Sequence, residues 1–241
     1  MPVTVLAPAK LTLSLRVTGV RADGYHLIDA EMVSVDLCDT LTFADGDGLT
    51  ITGGDIPDDG ADNLVTKALR AVGRHAHVTL NKQIPAGAGL GGGSSDAAAV
   101  LRWAGIDDVA LAATLGGDVP FCVVGGRARV TGIGDVLEAL PFVAATYTLL
   151  TPPLHVSTPA VYNAWDEMGG PVAAGPNDLE PAALRVCPDL ARYRDELGNA
   201  TGETPILAGS GSTWFVCGSF IGAGKIVSTL PAPPPGTSQG V

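Results

Sequence analysis

Apolar and polar positions alternate in several stretches of the first half of this 241-residue chain. Leu11, Leu13 and Leu15 take every second place within residues 10–17, which predicts a strand with one face buried; residues 4–6 read as extended just before it. After a turn at Arg21-Ala22-Asp23-Gly24, residues 31–37 alternate again. Residues 40–43 and 49–52 read as short strands joined by an Asp/Gly hairpin turn. Leu64, Ala68 and Val72 lie four apart and predict a helix over residues 63–72. Residues 77–80 form a strand that leads into the densest glycine cluster of the chain. Beyond that cluster, the Ala-rich residues 95–103 suit a buried helix, and residues 107–115 a second one with Asp107 or Asp108 as cap.

Strands are expected at residues 127–131 and 147–150, followed by Thr151-Pro152-Pro153 as a domain boundary. Downstream, helices at 159–168, 179–186 and 190–197 precede strands at 206–208 and 213–217. The pattern divides the chain into domains 1–150 and 151–230. A proline-rich tail, 231–241, is expected to be disordered.

Composition narrows the class. Hydrophobic residues make up 46% and charged residues 16%, so the bulk of the chain can bury a core. A net charge of −11 argues against duplex nucleic acid or a membrane surface, which demand clustered cations, but leaves a small nucleotide possible. Cys38, Cys122, Cys187 and Cys217 form no Cys-x-x-Cys pair and read as buried, reduced thiols. Neither a signal peptide nor an apolar stretch of membrane-spanning length is visible, so the expectation is a cytoplasmic monomer or homodimer acting on small molecules.

The strongest chemical signal is Pro85-Ala86-Gly87-Ala88-Gly89-Leu90-Gly91-Gly92-Gly93-Ser94-Ser95-Asp96-Ala97. Strand before and helix after, it has the form in which free amides and a helix dipole meet a phosphate, with glycines where a Cβ would obstruct. It lacks the Lys-Ser/Thr of a Walker A loop and the distal acidic residue of a Rossmann fold. Five glycines running into an Ala-rich helix argue against a mere flexible connector. Asp118, in Gly117-Asp118-Val119-Pro120-Phe121, reads either as a helix N-cap or as a reactive carboxylate. Lys10 interrupts a strand; it points to solvent unless a carboxylate or phosphate partners it. His75 and His77 share a strand face but lack a third metal ligand nearby. Asn177-Asp178-Leu179-Glu180 reads as a helix cap without catalytic role.

Taken together, Pro8-Ala9-Lys10-Leu11, Ala22-Asp23-Gly24-Tyr25-His26, the glycine cluster, Gly117-Asp118-Val119-Pro120-Phe121 and Gly209-Ser210-Gly211-Ser212 resemble the GHMP kinase superfamily in content and order. The Tyr-His and Gly-Asp-Val-Pro-Phe stretches resemble its branch that phosphorylates the 2-hydroxyl of 4-diphosphocytidyl-2-C-methyl-D-erythritol in non-mevalonate isoprenoid synthesis. The resemblance implies a two-domain α+β fold, with a ribosomal-S5-like N-terminal half and a ferredoxin-like C-terminal half. It implies ATP as co-substrate, Mg²⁺ as its counter-ion, and Lys10 and Asp118 as the catalytic pair. Asp118 would accept the hydroxyl proton, with Lys10 keeping it ionised. Pro85, Ala86, Gly87, Ala88, Gly89, Leu90, Gly91, Gly92, Gly93, Ser94 and Ser95 would wrap the triphosphate, Ser95 (or Ser94) reaching the metal, with Asn63 on the adenosine side.

On the substrate side, the same resemblance points to Tyr25 and His26 at the cytosine, Tyr162 as a second aromatic against it, and Thr12, Gly209, Ser210 and Gly211 around the diphosphate. Tyr162 reads equally as a core aromatic. Thr12 replaces the usual Asn, Gly117 the usual Ala, and the stretch from Ser95 to Asp118 is short. Two alternatives remain: another GHMP kinase acting on mevalonate phosphate, homoserine or a sugar, or a non-catalytic nucleotide-binding relic.

Overall fold

The computed structural model describes residues 1–53 and 62–233. Two long antiparallel strands, β1 (Val3–Val20) and β2 (His26–Ala44), form its frame and pair from Val3↔Phe43 to Val20↔His26. The four short segments that the sequence pattern separates are thus two continuous strands. Pro8 does not end β1, because a register shift between Pro8 and Lys10 absorbs the missing amide in a bulge.

β1 occupies one edge of β2. The other edge is shared in succession by β5 (Arg127–Gly132), β10 (Lys225–Leu230) and β4 (His77–Asn81). The expected hairpin between residues 40–43 and 49–52 does not form: β3 (Gly48–Thr52) pairs parallel with β4, which lies between it and β2. The physical reason lies in burial. Val78 and Leu80 of β4 are buried and fit an interior strand, whereas β3 has no fully buried residue and suits an edge.

Helices cover this frame. α1 (Leu64–Ala71) is capped by Asn63, whose Oδ1 accepts from Val65 N at 2.9 Å. α2 (Gly92–Trp103) begins three residues earlier than predicted, so that Gly92 and Gly93 make its first turn. Its Ala97, Ala98, Ala99, Val100 and Leu101 are fully buried; the small side chains let it lie close against β1. Phe43 stacks on Trp103 with ring centroids 4.4 Å apart. α3 (Val109–Leu115) takes Asp108 as its cap, which accepts from Ala110 N and Leu111 N. α4 (Val119–Val124) and the exposed strand β6 (Val136–Ala139), which pairs with β5, complete this half.

The remaining elements are β7 (Thr146–Leu150), α5 (Thr158–Glu167), α6 (Glu180–Val186), α7 (Leu190–Thr201), β8 (Ile206–Leu207) and β9 (Trp214–Cys217). β7 pairs with β9 and β10. Thr146–Leu150, placed by the sequence at the end of the first domain, therefore shares a sheet with strands of the second. β10, which the sequence pattern did not predict, then returns to β2 at Ser34 and Val35 and joins the halves through one sheet. The expected tail falls outside the described residues from position 234 onward. All four cysteines are free, but only Cys122 is fully buried; Cys217 ends β9 on its exposed face, contrary to expectation. No helix among the described residues is long and apolar enough to cross a membrane.

A second tie binds the halves beside the cleft. Leu15 N donates to Pro176 O at 2.8 Å, and Asp178 N donates to Leu15 O at 2.9 Å. The buried Asp178 carboxylate accepts from Arg16 Nη1 (2.7 Å), Val17 N (3.0 Å) and Ala173 N (2.9 Å). Asp178→Ala would leave two backbone amides without acceptors, a loss of about 2–3 kcal/mol. In urea unfolding, the midpoint is expected to fall by that loss divided by the slope, with the slope itself unchanged; an unaltered midpoint would show that the tie is not stabilising.

Candidate active site

The chain leaves β4 at Asn81 and turns through the glycine cluster into α2. Gly87, Gly89 and Gly91 have φ of +66°, +75° and +67°, a region L-residues avoid. Space is as restrictive as torsion. A Cβ on Gly89 would lie 2.3 Å from Ala208 O and 2.8 Å from Gly211 O, and one on Gly91 would lie 2.7 Å from Lys10 Cγ. The loop is stitched from both sides, by Lys10 N to Leu90 O (3.0 Å) and Thr213 N to Ala88 O (3.2 Å). Residues 85–94 line a cleft of about 470 Å³ together with Lys10, Asn63, Asp118, Tyr162, Gly209 and Ser210.

Lys10 does not point to solvent. It is 5% exposed, and its Nζ lies 3.3 Å from Asp118 Oδ2 and donates to Thr12 Oγ1 at 3.1 Å. Asp118 precedes α4 but makes no capping bond, so its carboxylate is left for the cleft. Gly209 closes the group from the second half: a Cβ there would stand 3.4 Å from Lys10 Nζ. Lysine, aspartate, threonine and two glycine loops thus meet at one point.

A second cluster forms around Tyr162, which lines the cleft, whereas His26, Trp165 and Asp166 do not. His26 opens β2 and packs on Tyr162 of α5, centroids 4.6 Å apart, with Trp165 edge-on at 5.7 Å. His26 Nε2 lies 2.9 Å from Asp166 Oδ1. Tyr162 meets both readings, since it lines the cleft and also packs against the main core. Burial, helped by the charge of Asp118, pushes its hydroxyl above the usual range, so the ring stays neutral. Tyr25, by contrast, is 60% exposed on the turn with Arg21 beside its ring, and it does not line the cleft.

Three further expectations change. Ser95 is buried and donates to Pro8 O at 2.5 Å, so its hydroxyl holds α2 on β1 instead of meeting a metal; Ser94 is the hydroxyl that lines the cleft. Thr12 is buried beneath Lys10 and faces that ammonium. Gly211 packs toward Leu207 and Leu190 and donates to Ala208 O, while Gly209 and Ser210 face the cleft.

Sequence reasoning also missed residues that hold the site in shape. Asn177, assigned only a capping role, is buried; it does accept from Leu179 N, but its Nδ2 also donates to Leu207 O (2.8 Å) and Gly209 O (2.7 Å), fixing the second glycine loop. Asp166, and a buried cluster of Lys82, Asp39 and Asp96, were also passed over. Nothing local distinguishes such residues; their partners lie far away in the chain. Among the described residues, no group of three or more His, Cys, Asp and Glu side chains could hold a metal ion. His75 faces Asp47 at 2.8 Å instead.

Comparison with known proteins identifies the family. The family model for the GHMP kinases N terminal domain matches residues 63–126. The 4-diphosphocytidyl-2-C-methyl-D-erythritol kinase of Paracoccus denitrificans is 39% identical over 87% of this chain and 84% of its own length. The enzyme of that name from Granulibacter bethesdensis is 38% identical over 87% and 83%. A crystal structure of 4-(cytidine 5'-diphospho)-2C-methyl-D-erythritol kinase superposes with a TM-score of 0.77 at 33% identity, covering 95% of this chain and 100% of that one. Homoserine kinase from Cytophaga hutchinsonii, at 19% identity and a TM-score of 0.63, shares the fold alone. With this identity spread over nearly the whole chain, the protein belongs to the 4-diphosphocytidyl-2-C-methyl-D-erythritol kinase family of the GHMP kinases.

Proposed function

We propose that the protein transfers the γ-phosphoryl group of ATP to the 2-hydroxyl of 4-diphosphocytidyl-2-C-methyl-D-erythritol. The observation that carries this reading is the buried Lys10 ammonium 3.3 Å from the partly exposed Asp118 carboxylate, both opening onto the same cleft as the glycine cradle. A nucleophilic hydroxyl beside Asp118 loses its proton to the carboxylate as its oxygen attacks the γ-phosphorus. The Lys10 ammonium supplies positive charge where negative charge grows, and the loop amides do the same for the phosphoryl oxygens.

The cradle fits a triphosphate because it offers backbone amides without side chains in front of them. Mg²⁺ fits the same place. No side-chain cage is needed for an ion that stays largely with water and phosphate; Ser94, which lines the cleft, would hold it, and the ion would neutralise phosphoryl charge. Beside Tyr162, the Asp166 carboxylate accepts from His26 Nε2 and orients the ring so that Nδ1 is left to meet a base edge. Tyr162 provides an apolar ring beside it. Mevalonate phosphate, homoserine and simple sugars have no such base, so this cluster favours the cytidine substrate.

An ADP-release assay tests the reading directly. Turnover is expected with the cytidine substrate and not with mevalonate phosphate or homoserine; the reverse preference would overturn it. Asp118→Asn should lower kcat by roughly 10²–10⁴-fold while the Kd for Mg·AMPPNP changes little. Gly89→Ala should weaken Mg·AMPPNP binding by about tenfold or more in calorimetry, because its Cβ would force the two glycine loops apart. Asp166→Ala should raise KM for the cytidine substrate by about tenfold, leaving KM for ATP unchanged, and Asp166→Asn should restore much of it. Equal KM values in wild type and Asp166→Ala would remove Asp166 from base recognition.

A further inference from the structure

A second cavity, at the C-terminal end of α2, takes no part in the reaction above. It encloses about 270 Å³ between the first residues of β1, the middle of β2, the end of α4 and the chain leaving β10. Leu6, Pro8, Leu230 and Pro231 give it apolar walls. Arg102, in the last turn of α2, is the only charged side chain among the described residues that line it. Its half-buried guanidinium is held from two directions: Nη1 donates to Cys122 O at 2.5 Å and Nη2 to Leu6 O at 2.9 Å. Those bonds leave the remaining N–H groups of the guanidinium without a partner among the described residues.

The charge on Arg102 has no counter-ion there. Arg16, Arg127 and Arg129 each face a carboxylate, whereas no Asp or Glu among the described residues comes within ion-pair distance of Arg102. The thiols beside it do not supply one. Burial pushes Cys38 up to about 11 and Cys122 up to about 12, so both stay neutral. Burial also pulls the guanidinium below its ordinary value, although an arginine stays charged. Residues 234–241, which follow Pro233 in the chain, add no acidic side chain. A sheltered positive charge that meets only carbonyl dipoles is stabilised by an anion that reaches it.

We propose that this cavity is a second binding site, for a small carboxylate with an apolar body. The planar head group pairs with the N–H groups of Arg102 that the two carbonyls leave free, and the body lies against the leucines and prolines of the wall. A carboxylate is favoured over a phosphate by charge. One guanidinium balances one negative charge, and nothing else among the described lining residues could balance a second. The site is separate from the nucleotide cleft, since no described residue lines both. Ser94 at the start of α2 lines the cleft, and Arg102 in its last turn lies about 12 Å further along the helix.

Calorimetry of the full chain with hexanoate, and with hexanamide as its neutral isostere, tests the assignment. Hexanoate is expected to bind with a Kd of about 1 mM or tighter, and hexanamide at least about tenfold more weakly. Arg102→Gln keeps hydrogen-bond donors for the two carbonyls but loses the charge, and should weaken hexanoate by about tenfold or more. Hexanoate should also slow alkylation of Cys38, read by mass spectrometry, and leave that of the exposed Cys217 unchanged. Saturating Mg·AMPPNP should not alter its affinity. No heat from folded wild type, or equal affinity for acid and amide, would overturn the proposal. Displacement by Mg·AMPPNP would do the same, since hexanoate would then sit in the cleft. Should Arg102→Gln fail to fold, the acid–amide comparison and the Cys38 protection decide on wild type alone.

Discussion

Two glycine-rich loops from opposite halves of the chain touch backbone to backbone, and the active-site cleft depends on that contact. Gly89 can approach Ala208 O and Gly211 O only because it has no side chain, and Gly91 leaves the passage through which Lys10 reaches Asp118. A Cβ on Gly89 would press on the second loop, and one on Gly91 would push the Lys10 side chain aside. The hydrogen bonds from Lys10 N and Thr213 N then hold the phosphate cradle between β1 and the second half. Rigidity here serves chemistry, because amides aimed in advance at a phosphoryl group need not reorganise as charge develops.

Buried charge is the second organising feature. The chain carries a net −11, yet its buried lysines, Lys10 and Lys82, both line the nucleotide cleft. Each is matched by carboxylates, as Arg16 is by the buried Asp178. Such pairs stabilise little in themselves because desolvation offsets attraction. What they provide is position. Lys10 is fixed against Asp118, Lys82 against α2, and residues 176–178 against β1. The cleft is therefore built where the elements of both halves are most tightly tied.

Much of the site was legible from the chain because its signals are local. Glycine density between a strand and an Ala-rich helix is a property of thirteen consecutive residues. Asp108 as a cap and the helices near residues 63–72 and 107–115 also follow from neighbouring side chains. Ser95 was misread because two adjacent serines look alike until the helix phase is known: one faces the cleft, the other Pro8 O. Tyr25 and His26 are adjacent in the same way, yet only His26 reaches Tyr162.

Sequence alone determined the glycine-rich turn between a strand and an Ala-rich helix, and the family to which the motifs point. These are matters of torsional freedom, capping and short-range periodicity. Tertiary structure decided which strand neighbours which: β4 displaced the expected hairpin partner of β2, β7 joined the strands beyond the supposed boundary, and β10 closed the sheet. It also decided the partners of Lys10, Asn177 and Asp96. The reason is physical: strand pairing and buried ion pairs are satisfied by residues tens to hundreds of positions apart, and no local pattern records which distant group will fill the space.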